Sequence, residues 1–261
     1  MIEVKVLASG SKGNCIMVKS AEKRILIDCG ISVRSLGKAL SQAGSSYGAI
    51  SAILVTHEHN DHVASVAQVS EAYGIPVFAN AITMSAVKRR TGLKGGYYFE
   101  EVTPFTLAGM EIRPFRVSHD AVYPVGYSIA DGDSRFTYAT DLGYFSPSVK
   151  EAIKGSDLLL IESNHDVHML LHGPYPQRLK ERILSQRGHL SNRNCAEVIR
   201  ESLESGTKKF ILGHLSEQNN TEDLALTTNV TLLEEWGAHK DKDYELYVAN
   251  QKGLEPTVTT K

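Results

Sequence analysis

The segment Ile53-Leu54-Val55-Thr56-His57-Glu58-His59-Asn60-Asp61-His62 constrains this chain more than any other. Its apolar, partly β-branched beginning reads as a buried strand, Ile53–Thr56. The strand then delivers ligand-type side chains at its end. Residues two apart on an extended chain project to the same side, so His57 and His59 can share one cation while Glu58 points away. As the chain turns into a helix, Asp61 and His62 stand at its start and face back toward the same spot. Two neighbouring half-sites result. Imidazole together with carboxylate suits zinc, manganese or iron rather than calcium or magnesium.

Further ligands stand at equivalent places. His119 follows Phe115-Arg116-Val117-Ser118, Asp141 follows Thr137-Tyr138-Ala139-Thr140, and His214 follows Phe210-Ile211-Leu212-Gly213. Each comes directly after a strand, where a rigid sheet can aim side chains into a shared cleft. One histidine after a strand is ordinary; several such strand ends together point to a metal centre.

The rest of the chain predicts mixed α and β structure. Strands are expected at Ile2–Leu7, Ile16–Lys19, Arg24–Asp28, Met110–Ser118, Asp157–Glu162 and Phe210–Gly213, with Tyr244–Ala249 closing the sheet as a final strand. Val125–Ala130 and Phe136–Thr140 flank Asp131-Gly132-Asp133, a hairpin signal. Helical spacing marks Ser32–Ala43, Gln177–Ser185, Arg193–Glu204 and Thr221–Trp236, and Val63, Val66, Ala67 and Tyr73 mark one face of another helix. Strands come in runs with helices after them rather than in strict βαβ alternation. At 261 residues, one compact domain spanning 1–261, built of one unit or two similar halves, is expected.

Composition excludes several classes. The formal net charge is −2, so no global positive field draws in nucleic acid and any such partner must be held by local patches. Lys88-Arg89-Arg90 with Lys94, and Arg178, Lys180, Arg182, Arg187 and Arg193, are the candidate patches. The N-terminus lacks a signal-peptide pattern, and no apolar run approaches the roughly 18–20 residues that span a bilayer. Cys15, Cys29 and Cys195 are scattered and unpaired in sequence, which fits a reducing, cytoplasmic setting.

His57, His59, Asp61, His62, His119, Asp141 and His214 together resemble the signature of the metallo-β-lactamase fold superfamily, HxHxDH followed by a distant His, Asp and His. Asp28, ending Ile25-Leu26-Ile27, matches the superfamily's early aspartate. The resemblance implies a four-layer αββα sandwich holding two divalent transition-metal ions, zinc or manganese with iron also compatible. His57, His59 and His119 would hold the first, Asp61, His62 and His214 the second, with Asp141 bridging and Asp28 supporting a ligand loop. Leu7-Ala8-Ser9-Gly10-Ser11-Lys12-Gly13-Asn14, Glu162-Ser163-Asn164-His165-Asp166, Gly173-Pro174-Tyr175-Pro176 and Gly188-His189-Leu190-Ser191-Asn192 look like the YycJ group, also called WalJ or VicX, of exonuclease-like proteins linked to a cell-wall two-component system.

The implied chemistry is attack by a metal-bridging hydroxide on a phosphodiester. Asp61 belongs to that catalytic set. His189, placed 25 residues before His214, resembles the general acid of the superfamily's tRNA-maturation nucleases, and Glu162 could keep it protonated. Ser11 and Asn14 of the glycine-rich turn, with His165 and Asn192, are candidate phosphate contacts. The expected partner is nucleic acid, DNA ahead of RNA, cut in the manner of a 5′–3′ exodeoxyribonuclease. Two rivals stand beside this reading. A glyoxalase-II-like thioesterase would use the same seven ligands, and a non-catalytic signalling module would need none of them.

Overall fold

The computed structural model describes residues 1–261. The chain opens with an antiparallel run, β1 (Ile2–Ala8), β2 (Cys15–Ser20) and β3 (Lys23–Ile27). It continues through α1 (Val33–Gln42), β4 (Ile50–Leu54), α2 (Asn60–Val63), α3 (Val66–Tyr73), β5 (Val77–Asn80), α4 (Ala81–Thr91) and β6 (Tyr97–Phe99). The strands β3, β4, β5 and β6 are parallel neighbours. The second half repeats this plan. An antiparallel run of β7 (Phe105–Leu107), β8 (Met110–Arg116), β9 (Val125–Asp131) and β10 (Ser134–Ala139) comes first. Then follow α5 (Pro147–Ile153), β11 (Leu158–Glu162), α6 (Val167–His172), α7 (Gln177–Leu184), α8 (Asn192–Glu204), β12 (Lys209–Gly213), α9 (Glu222–Glu235) and β13 (Glu245–Val248), with β10 to β13 parallel. A last short strand, β14 (Val258–Thr259), returns to β1.

Two seven-stranded sheets result, ordered β14-β1-β2-β3-β4-β5-β6 and β13-β12-β11-β10-β9-β8-β7. Side-chain alternation assigns each strand to two cores. Ile25, Ile27, Leu54, Leu158, Leu160 and Ile211 point between the sheets into one apolar cluster. Their neighbours Leu26 and Ile53 face the outer helices of the first half, while Leu159, Ile161, Phe210 and Leu212 face those of the second. A strand buried on both faces has no polar side to show, which is why these read as unbroken apolar runs. The layers are therefore helix, sheet, sheet, helix, as the resemblance implies.

Several expectations change. Beyond its antiparallel run each half does alternate βαβ, because β4, β5, β11, β12 and β13 are parallel and parallel strands need crossover helices. The strands β5, β6 and β7 and the helices α4 and α5 were not read from the sequence; the three strands are only three or four residues long. Val63 to Tyr73 is two helices, broken at Ser65, whose backbone N–H and hydroxyl both donate to the Cys29 carbonyl. Tyr73 is 48% exposed and stacks on Tyr47 instead of facing the core. Tyr244–Ala249 supplies an edge strand of the second sheet, but the chain ends in the first.

Candidate metal centre

All the expected ligands lie at one edge of the sandwich, beyond the C-terminal ends of strands, where open sheets hold ligands; the strand before His119, β8, is antiparallel to both its neighbours. Asp28 follows β3, His57 lies just past β4, Asp141 follows β10 and His214 follows β12. Asp28, Asp141 and His214 each adopt positive φ, at 60°, 58° and 54°. Few residues tolerate that region, Asp and His among the exceptions, and it turns each chain sharply, bringing Asp141 and His214 to the edge and Asp28 against the ligands from behind. Gly30 permits the closest approach. A side chain there would collide with the Asp61 carbonyl at 1.6 Å, so its absence lets the Asn14 turn lie against the Asp61 loop.

The ligand atoms form four overlapping groups, each within 4.8 Å: His57, His59 and His119; His57, His62 and Asp141; Asp61, His62 and His214; and Asp141, Glu162, His189 and His214. Four of the expected ligand histidines are oriented from behind through Nδ1. His57 donates to the Thr56 hydroxyl at 3.0 Å, His62 to Asp28 at 2.7 Å, His119 to the Gly188 carbonyl at 3.1 Å and His214 to Glu162 at 2.9 Å. Each Nε2 is thereby turned toward the centre, that of His62 lying 3.1 Å from the Asn14 amide. Asp28 also accepts the Thr56 N–H and hydroxyl, both at 2.9 Å, so it braces two ligand positions without reaching the edge.

Three atoms test whether cations fit. His57 Nε2, His214 Nε2 and Asp141 Oδ2 are buried without a hydrogen-bond partner, which a native interior rarely allows. Asp61 and Asp141 have only histidines as ion-pair partners. Burial disfavours their charge, yet the surrounding histidines outweigh it and hold both carboxyls well below the usual range. Against the same burial, Asp141, Asp61 and Glu162 raise His214 to about 10. The buried anions demand positive charge beside them. Divalent metal ions would satisfy the same demand, and the donor set fits them.

Beside the ligands, Glu162 organises a second group. One carboxylate oxygen accepts from His189 at 2.7 Å and from His214. The other accepts the backbone N–H groups of Leu142 and Leu190 at 2.8 and 3.1 Å. Burial opposes the Glu162 charge, but the two histidines hold its carboxyl down to about 2. His189 opens onto a cavity of about 270 Å³ above the ligands, lined also by Ser11, Asn164, Tyr175, Leu179 and Arg182.

The candidate phosphate contacts divide. Ser11 lines this cavity, whereas Asn14 is buried and spends its amide on Gly10, Asp61 and His62. Asn192 is tied to Ser163 and Asn220, and His165 is buried beside a different cavity with His168 and Arg193. Glu58 points away as expected, accepting the Val122 N–H beside Arg89 and Arg90. Sequence reasoning missed Tyr175, Leu179 and Ile183. Leu179 and Ile183 stood in the expected helix and Tyr175 in the motif just before it, but nothing showed which way they turned.

The sequence profile of a β-lactamase superfamily domain matches residues 23–215. The exodeoxyribonuclease WalJ of Streptococcus pneumoniae is 38% identical over 247 residues, covering 93% of this chain and 92% of the relative. The exodeoxyribonuclease YycJ of Bacillus anthracis is 36% identical over 254 residues, covering 96% of each. This chain belongs to the metallo-β-lactamase superfamily. Within it the chain is similar to the YycJ/WalJ exodeoxyribonucleases, and it is a hydrolase. The metallo-β-lactamase fold is seen in the superposition on YhfI from Bacillus subtilis, with a TM-score of 0.73 at 17% identity over 96% of this chain and 98% of that one.

Proposed function

We propose that this metallo-β-lactamase-fold hydrolase carries two divalent cations and cuts DNA phosphodiesters from a strand end. His57, His59 and His119 would hold one cation and Asp61, His62 and His214 the other, with Asp141 between them. Cations so placed supply Lewis acidity and lower the pKa of water to about 7. Asp61, a quarter exposed at the cavity floor, takes the proton of the attacking water. The cavity beside His189 receives the phosphate, and Ser11 and Asn164 offer it polar contacts.

The observation that carries the reading is the His189–Glu162 pair. Glu162 fixes His189 through Nδ1, which turns Nε2 to the cavity, and with both ring nitrogens protonated the Nε2 proton is the one that faces a substrate. There it is delivered to the leaving alkoxide oxygen as the P–O bond breaks. An alkoxide needs that proton to depart, whereas a thiolate is stable enough to leave without it. The pair thus favours a phosphodiester over a thioester. The names of the relatives favour DNA. A cytoplasmic setting is supported by three free, buried cysteines, and no helix is long and apolar enough to cross a membrane.

The test is digestion of 5′-labelled single- and double-stranded DNA and RNA with manganese- or zinc-loaded protein, beside a thioester. DNA should be degraded, chelation should stop it, and Asp61→Ala or His62→Ala should lose both metal and activity. Turnover of the thioester with every nucleic acid intact overturns the assignment.

A further inference from the structure

The cavity over the ligands has a wall that the proposed chemistry does not use. Tyr175 and, on α7, Leu179, Arg182 and Ile183 line it. Leu179 and Arg182, three apart on α7, share one helical face, and Ile183 beside them and Tyr175, just before the helix, complete the wall. That wall combines an aromatic ring, two aliphatic side chains and a guanidinium.

The wall is firmly seated. Arg182 makes a two-pronged ion pair with Asp120, at 2.5 and 2.9 Å, which ties α7 to the loop carrying His119. Ser118 donates to the Gln186 carbonyl at 2.6 Å. Past the helix, a side chain on Gly188 would lie 2.1 Å from the Ile183 carbonyl, so the turn closes directly against the helix end. Lys180 caps the Leu171 carbonyl at 2.7 Å on the other side.

At about 270 Å³ the compartment falls just under the roughly 300–1,000 Å³ of small-ligand sites. That is the scale of a single nucleotide rather than of a longer stretch of strand. Single-stranded nucleic acid is held elsewhere by bases stacking on aromatic rings, and Tyr175 is the aromatic residue in the wall.

We infer that the cavity is a terminal-nucleotide compartment, in which Tyr175 stacks on the end base and α7, held by the Arg182–Asp120 pair, blocks passage of an internal strand. This rests on the phosphodiester reading above and deepens it, making the choice of strand ends a property of α7. Tyr175 is then a binding residue and Arg182 a positioning residue.

The experiment has two parts. Binding is measured by fluorescence anisotropy in chelator, using oligodeoxynucleotides whose degraded end carries either a normal or an abasic terminal nucleotide. Wild type should prefer the base-bearing end by about tenfold, within the range of one base–aromatic stack. Tyr175→Ala should bring that ratio near one, and Tyr175→Phe should keep it. Cleavage is then compared on linear and circular single strands. Wild type should cut the circle at least about 100-fold more slowly, and Arg182→Ala should narrow that gap with metal content unchanged. An undiminished binding ratio in Tyr175→Ala, or equal cutting of circle and linear strand by wild type, overturns the compartment. Selective binding with no cleavage of any phosphodiester overturns the reading of function alone.

Discussion

His189 and His214 share one carboxylate oxygen of Glu162, yet they are proposed to do different work. His214 has its second nitrogen buried and orphaned against Asp61 and Asp141, which favours the proposed ligand role. His189 is still 13% exposed to the cavity, so it can meet a substrate. His189→Ala should keep its full metal content and lose about 10²–10⁴ in kcat; metal analysis and steady-state kinetics on one preparation check both. Metal loss in that variant would move His189 into the ligand set. His165 carries a pH prediction. It is 1% exposed, neither ring nitrogen has a partner, and burial lowers its pKa to about 4. Between the ordinary value near 6.5 and about 4, the unfolded chain binds a proton there that the folded chain refuses. Stability therefore falls as pH drops through that window, by up to about 3 kcal/mol at one proton and 1.36 kcal/mol per unit. Urea melts at pH 7 and pH 4.5 should show a smaller loss for His165→Gln than for wild type.

At the scale of elements, the centre depends on strand ends held in register. β11 aligns Glu162 with Gly213 of β12, the residue before His214. Leu160 lies beneath, fully buried between the sheets, close enough that a side chain on Gly213 would meet it at 2.9 Å. Leu160→Ala should cost about 2–5 kcal/mol of unfolding free energy through the cavity it leaves. Metal stoichiometry should hold, because the ligand loops take their bonds from Asp28, Glu162 and the backbone rather than from that methyl packing. Denaturant melts and metal analysis check the two halves of this expectation. The strong elements were legible because their apolar period is intrinsic: β4, β11 and β12 are buried on both faces, and α1 and α8 bury one stripe. Short edge strands such as β6 and β14 have no such period, since two or three residues acquire strand geometry only from the neighbour they pair with.

On the scale of the whole molecule, the two sheets carry the same strand plan and the centre lies across both. Asp28, His57, His59, Asp61 and His62 come from the first half; His119, Asp141, Glu162, His189 and His214 come from the second. Strand β14 returns from the end of the chain to pair with β1. We infer that residues 1–261 unfold as one cooperative unit. Fluorescence of Trp236, the single tryptophan, reports the second half and far-ultraviolet circular dichroism reports both, so the two melting curves should coincide. Separate midpoints would mean separable halves. Added zinc or manganese should raise the common midpoint, by about 2.7 kcal/mol in stability at a hundredfold excess over its Kd. The ligand types, their HxHxDH spacing and their positions after apolar strands could be read from the order of residues alone, because strand periodicity and donor chemistry are local. The exposure of Asn14 and His165, the turning of α7 toward the ligands and the joining of His189, His214 and Glu162 were decided only in three dimensions. Each depends on which surfaces meet when two sheets pack, and that contact joins residues too far apart in the chain for any local pattern to record.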